Sequence, residues 1–216
     1  MEQEAAVYHK REFWADENLK YQKPHFRLEK AARLVNKIAN GGTCELLDVG
    51  CGPAALKHLL DPGVQYYGID IAIHEPSDSL IETDFVEGPI RFGQKQFDLV
   101  VAQGVFEYIG SVQRQKLAEI RDILKDSGTF VVTYVNFDHR NRNIYWPYNN
   151  IQSFSSFRRS LEEFFSVNRY FPTSHRWRHD EPRDRLQWAL QKHININIPL
   201  VSHMFGVEYF FICRKR

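Results

Sequence analysis

An α/β fold built on a mainly parallel sheet is what this sequence predicts, and three observations predict it. Short apolar runs of strand length recur between residues 45 and 135. At least one spacer between them is an amphipathic helix, and strands that alternate with helices form parallel sheets. The first run ends in Gly50-Cys51-Gly52, a turn that lets a ligand approach the backbone at the carboxyl edge of such a sheet.

The elements follow in order. In residues 24–39 (PHFRLEKAARLVNKIA), Leu28, Ala31, Ala32, Val35 and Ile38 fall at helical spacing, and Gly41-Gly42 is expected to end the helix. Strands are expected over 45–49, 66–69, 79–82, 97–102 and 129–135. After Gly52, Pro53 suits the first position of a helix, where its missing N–H costs nothing. The spacer after Asp70 is short and carries Pro76, and 86–96 carries Gly88-Pro89 and Gly93, so both crossovers are expected as loops or single turns. Residues 112–125 (VQRQKLAEIRDILK) form an amphipathic helix with Asp126-Ser127-Gly128 as its exit turn. Residues 165–169 and 207–213 are further strands.

Composition narrows the function classes. A chain of 216 residues with 43% hydrophobic and 25% charged residues can fill a full core as one domain. Its net charge of +1 gives no general attraction to nucleic acid or membrane. Cys44, Cys51 and Cys213 are odd in number and scattered, which suits neither a disulfide framework nor a four-ligand zinc site, so a reducing, cytoplasmic setting is expected. No apolar run approaches membrane-spanning length, and MEQEAAVYHKREFW at the start lacks a signal-peptide core. Aromatic residues make up 14% of the chain, enough to line a pocket as well as fill a core.

The glycine loop by itself fits two ligands. Residues 50–55 match the dinucleotide pattern G-x-G-x-x-G/A, and Asp70 stands twenty residues beyond Gly50, where that pattern places an acid for the ribose. Two further acids separate the alternatives. Asp48, inside the strand end, would repel a pyrophosphate but could hold an ammonium. Asp84, in Thr83-Asp84-Phe85, could accept from an exocyclic amine. Each alone is as well explained as a turn cap. Three acids after three successive strands describe S-adenosylmethionine better than NAD.

At these residues the sequence resembles the class I S-adenosylmethionine-dependent methyltransferases, in particular those acting on small molecules. LLDVGCG (46–52), YYGID (66–70) and TDF (83–85) look like their first three motifs. FDLVVAQGVFEYI (97–109) and ILKDSGTFVVT (123–133) resemble the segments that follow. The resemblance implies a seven-stranded, Rossmann-like, mostly parallel sheet with an antiparallel last strand, helices on both faces, and a helical, aromatic lid. It implies cofactor binding by Asp48, Gly50, Cys51, Gly52, Asp70, Ile71, Asp84, Phe85 and Gln103, with Ile71 and Phe85 sandwiching adenine and Gln103 facing the methionine end. Ala54 stands where glycine is frequent, and Tyr108 where many small-molecule members have histidine.

The acceptor is expected above the carboxyl edge, under residues 8–25, 136–150 and 172–206. Those segments hold His9, His25, His139, His175, His179, His193 and His203, and also Trp14, Trp146, Trp177 and Trp188. His139 is the first choice for a general base, with Tyr108 as a second catalytic candidate. Tyr21, His25, Tyr145 and Trp146 are expected to touch the acceptor. His175 and His179, four residues apart, could share a helix face, but solvated histidines account for them better than a metal site, and no metal is expected. The organisation expected is one domain over 1–216: a helical lid segment at 1–40, a cofactor core at 45–135, and acceptor-lid insertions with the last two strands at 136–216. The function expected is methyl transfer to nitrogen or oxygen of a small molecule in specialised metabolism, by a monomer or homodimer with no membrane partner and with nucleic acid disfavoured. The alternatives are an RNA or protein methyltransferase and a non-catalytic cofactor-binding module.

Overall fold

The structure, a computed structural model, describes residues 11–20, 26–90, 92–136, 152–173 and 193–216. Helices α1 (Arg11–Lys20) and α2 (Phe26–Ala39) lead into strand β1 (Cys44–Val49). A 3₁₀ turn (Ala55–Leu59), β2 (Val64–Asp70), β3 (Leu80–Glu82) and β4 (Phe97–Ala102) follow. Helix α3 (Gln113–Ile123) runs into β5 (Leu124–Val135). Helix α4 (Phe154–Phe164), β6 (Phe165–Pro172), α5 (Pro199–Phe205) and β7 (Glu208–Lys215) complete the described chain.

The seven strands form one sheet in the order β3-β2-β1-β4-β5-β7-β6. β1 to β5 pair in parallel, and β7 is antiparallel to both β5 and β6. Successive residues of a strand face opposite sides of a sheet, and the apolar runs use both sides. Leu47, Val100 and Val132 face one core with Leu117 and Ile120 of α3 and Phe157 and Leu161 of α4. Leu46, Leu99 and Val131 face the other with Ala31 and Val35 of α2. Aromatic side chains concentrate on the first face, where Tyr134 and Phe157 stack at 3.9 Å between ring centroids. Among the described residues no helix is long and apolar enough to cross a membrane.

Three expectations need correction. The glycine loop does not open an α-helix. Ala54 adopts a left-handed backbone (φ 55°) and only the short 3₁₀ turn follows, so Pro53 precedes the helical residues instead of starting them. Asn40 (φ 50°), one residue before the expected glycines, ends α2. The third concerns Asp126-Ser127-Gly128, which lies within β5 and not ahead of it. Phe97 pairs with Leu124 and Leu99 with Thr129, so residues 125–128 bulge out of an already begun strand.

Candidate active site

The parallel strands place their carboxyl ends along one edge of the sheet, and a cavity of about 250 Å³ lies there. Asp48, Gly50, Cys51, Gly52, Asp70, Ile71, Asp84, Phe85 and Gln103 all border it, as does Tyr108. The structure thus brings together every expected cofactor residue and one of the two catalytic candidates. Tyr21, His25, His139, Tyr145 and Trp146 lie outside the described residues, as do His175 and His179.

The glycine loop is held open by close approach. Gly50 has φ 71°, and a Cβ there would meet Val105 Cγ2 at 2.3 Å. The Gly50 and Cys51 N–H groups donate back to the Ile69 carbonyl, at 2.8 and 3.1 Å. This ties the loop to the end of β2, so the two strand ends move as one.

Each acid of that half is anchored. Asp70 accepts from Gly52 N at 2.8 Å and from Ala72 N at 3.0 Å, one bond to each carboxylate oxygen. These two bonds fix the plane of the carboxylate at the cavity edge. Asp84 Oδ1 accepts from Val86 N at 2.8 Å, a turn cap of the ordinary kind that also fixes the carboxylate beside Phe85. Lys116, fully buried, donates to Gly88 O at 2.6 Å and sits 5.4 Å from the centre of the Phe85 ring, so α3 braces this loop from below. Asp48 is 4% exposed and accepts from the Tyr66 hydroxyl at 2.7 Å. Burial pushes its carboxyl up to about 7; the Tyr66 bond opposes the rise and the Asp70 charge adds to it.

The other half of the cavity contains residues that sequence reasoning assigns no role. Gly104 has φ 65° and donates its N–H to Thr133 Oγ1 at 2.9 Å. A Cβ on it would lie 3.6 Å from the Arg27 guanidinium and 3.9 Å from Glu107 Oε1, so these two side chains come together over its bare backbone. Arg27 Nη1 donates to both oxygens of Glu208, at 3.1 and 3.3 Å. Glu107 is 4% exposed, and its Oε2 has no hydrogen-bond partner among the described residues. Burial first, then the Glu208 charge, push its carboxyl up to about 8, against opposition from its own backbone N–H and from Arg27. Trp14 of α1 also borders the cavity and packs edge-on against Tyr108 at 5.1 Å. Arg11 of the same helix forms two bonds with Glu82, at 2.8 and 2.9 Å, which joins α1 to β3. The one signal for Glu107 in the sequence is a lone acid in the otherwise apolar and aromatic run Val105–Ile109. Among the described residues no group of three His, Cys, Asp or Glu could hold a metal ion.

The cavity fits S-adenosylmethionine on this structure's own evidence. Its wall has three positive-φ glycines, Gly50, Gly52 and Gly104, which bring bare backbone up to a ligand, and Gln103 adds a buried Oε1 without a partner among the described residues. A backbone-anchored carboxylate and an aromatic face beside a second acid suit a ribose and an adenine.

Fold and site together define an α/β enzyme with a nucleoside-binding cleft at the carboxyl edge of its sheet. Residues 21–195 match the family described as methyltransferase domain, and the chain belongs to that family. It is an S-adenosylmethionine-dependent methyltransferase of class I. Solved structures share the fold at low identity. A chain of the complex between the Haloferax volcanii Trm112 methyltransferase activator and the putative methyltransferase aligns with TM-score 0.64 and 18% identity, over 97% of each chain. The plantazolicin methyltransferase BpumL, solved with a triazolic desmethylPZN analog and S-adenosylhomocysteine, aligns with TM-score 0.60 and 13% identity, over 100% of this chain and 98% of its own. The N-methyltransferase NodS from Bradyrhizobium japonicum, solved with S-adenosylhomocysteine, gives TM-score 0.59 and 13% identity, over 94% and 98%. No curated protein sequence matches the chain.

Proposed function

We propose that this enzyme methylates a nitrogen or oxygen atom of a small-molecule acceptor in specialised metabolism. S-adenosylmethionine supplies an electrophilic methyl group on a sulfonium. Asp70, its carboxylate oriented by Gly52 N and Ala72 N, would take the ribose hydroxyls. Asp84 would take the adenine amine, with Ile71 and Phe85 on the two faces of the base. Gly50, Cys51 and Gly52 would offer backbone to the amino-acid end, with Asp48 and Gln103 receiving its ammonium. The observation that supports this most is the convergence of all nine of these residues, from three strand ends and the loop after a fourth, on one cavity.

The chain's contribution to the chemistry is to hold, orient and dry. Methyl transfer is an in-line displacement, and alignment in a pocket that excludes water supplies much of the acceleration. Tyr108 and Trp14 also border the cavity and would position the acceptor. Tyr21, His25, Tyr145 and Trp146 would complete that wall, and His139 would act as a base for a hydroxyl acceptor. A small-molecule acceptor draws support from the plantazolicin methyltransferase and NodS, both likenesses of fold. An RNA acceptor draws less, since the net charge of +1 offers no electrostatic footprint for a polyanion. We place the enzyme in the cytoplasm, as a monomer or homodimer.

Calorimetry tests the cofactor. S-adenosylhomocysteine should bind in the micromolar range and NAD should not bind; the reverse result would remove the proposal. A mass-spectrometric screen with methyl-labelled cofactor against small molecules, total RNA and protein extract would then decide the acceptor class.

A further inference from the structure

Building on the small-molecule methyl transfer proposed above, we infer that the acceptor is a basic amine, whose ammonium is received and deprotonated by Glu107 in the cavity it shares with Trp14 and Tyr108.

Geometry and charge lead there. Glu107 and Glu208, both buried, meet the half-buried Arg27 beside the cavity, which Glu107 and Arg27 line. Arg27 directs its bonds to both oxygens of Glu208. Among the described residues Glu107 Oε2 is left without a partner, and a buried, unpartnered carboxylate oxygen is costly. Burial and the Glu208 charge keep Glu107 mostly protonated near neutral pH; once that proton is released, the described group of Arg27, Glu107 and Glu208 is one positive charge short. A ligand ammonium supplies that charge and hydrogen-bond donors together. Neutral phenols and carboxylic acids bring a donor but no positive charge, and their anions would be repelled. The aromatic pair in the same cavity adds a second preference of the same sign, because ring faces attract ammonium ions.

The same group accounts for how such a substrate becomes reactive. An ammonium has no lone pair and cannot accept a methyl group. The Glu107 carboxylate removes one proton: the N–H electron pair stays on nitrogen and the proton becomes the Glu107 O–H. A carboxyl held at about 8 loses far less driving force in this step than one at its ordinary value near 4.5. The proton later passes to solvent. The charged groups facing Glu107 among the described residues are Arg27 from α2 and Glu208 from β7; Glu208 raises its proton affinity and Arg27 limits the rise.

The test is calorimetric and uses the whole chain saturated with S-adenosylhomocysteine at pH 7. The probes are 2-phenylethylamine and its uncharged counterpart 2-phenylethanol. The amine should bind roughly tenfold or more tighter, the worth of one charge-assisted hydrogen bond. Titrations in buffers of different ionisation enthalpy should show release of close to one proton per amine bound, and none for the alcohol. Glu107→Gln should abolish both the preference and the proton release while S-adenosylhomocysteine affinity stays within about threefold. Equal binding of the two probes, no binding of either, or amine binding without proton release overturns the inference, and these wild-type results stand even if the variant fails to fold. A Glu107→Gln protein that keeps the amine preference but loses S-adenosylhomocysteine affinity overturns it too, by giving Glu107 to the cofactor. A wild-type protein that binds no S-adenosylhomocysteine instead removes the cofactor assignment on which the inference rests.

Discussion

Strand β1 carries an acid near each end, and the two have opposite surroundings. Glu45, at the amino edge of the sheet, is partly exposed and lies 2.5 Å from Lys95 and 3.1 Å from Lys125. Lys125 also bonds Asp98 of β4 at 3.0 Å, so this edge is a lattice of alternating charge. The bonds from Lys95 and Lys125 hold Glu45 below the usual carboxylate range. Three residues further on, Asp48 is buried, has a tyrosine for its partner instead of a lysine, and is pushed up to about 7. Glu107 repeats the pattern on the same edge. Neutralised charge at one edge is compatible with ordinary folding; buried acids with raised carboxyls at the other would suit a ligand that brings its own positive charge. Perturbed carboxyls gathered in a cleft are what a binding site would be expected to show.

Four measurements would break or sharpen that contrast. The largest effect is expected at Asp70. Asp70→Ala removes an acceptor of two ribose hydrogen bonds, each worth about 1.5–3 kcal/mol, and should raise the S-adenosylhomocysteine dissociation constant on the order of a hundredfold or more. An unchanged constant in a folded variant would place the ribose elsewhere.

Tyr66→Phe comes next. It strips the hydroxyl donor from buried Asp48 and should cost about 1–3 kcal/mol of stability in urea unfolding. The loss should be greater at pH 8, where Asp48 is ionised and needs the bond most, than at pH 6. An equal loss at both would show that Asp48 stays protonated throughout.

The third concerns the pH dependence of the free protein. Asp48 and Glu107 have folded values above their unfolded ones, so between about pH 4.5 and 8 the native state binds more protons than the unfolded chain. Stability from this edge therefore rises as pH falls through 8 and 7, by at most about 1.4 kcal/mol per unit for each group. Glu45 and Asp98, held low by their bonds, behave oppositely: their contribution is present above their unfolded values and is lost as pH falls through the folded ones. The urea midpoint should thus be highest in mildly acid solution. A midpoint that rises steadily from pH 5 to 8 would contradict the burial of both upper acids.

The smallest effect is expected at the amino edge. Glu45→Gln should change stability by less than about 1 kcal/mol, the usual worth of a partly exposed pair, and leave S-adenosylhomocysteine binding untouched. A tenfold loss of affinity would mean that the two edges are coupled through β1.

Much of the carboxyl edge is legible in the order of residues alone. Apolar runs of strand length betray buried parallel strands, and Gly50, Asp70 and Asp84 stand at fixed distances from strand ends, so their convergence follows from local order. Ala54 misleads because alanine rarely adopts a left-handed backbone, and nothing nearby announces that the loop forces it there. The β5 bulge resembles a turn in sequence because both put small polar residues at the same places. Arg27, Glu107 and Glu208 escape for another reason. Arg27 and Glu208 are 181 positions apart, and only the antiparallel return of β7 beside β5 brings the second acid to the first. Such a partnership has no signature in spacing.

The buried Lys30 of α2 has a consequence of a different kind. Its ammonium, 2% exposed, donates to the carbonyls of Pro172, Thr173 and Ile194, at 3.1, 3.0 and 2.9 Å. One side chain thereby pins the chain on both sides of residues 174–192. Lys30 is thus a rivet between the end of β6 and the approach to α5, and burial lowers its ammonium to about 8, so the rivet loosens as pH rises through that value.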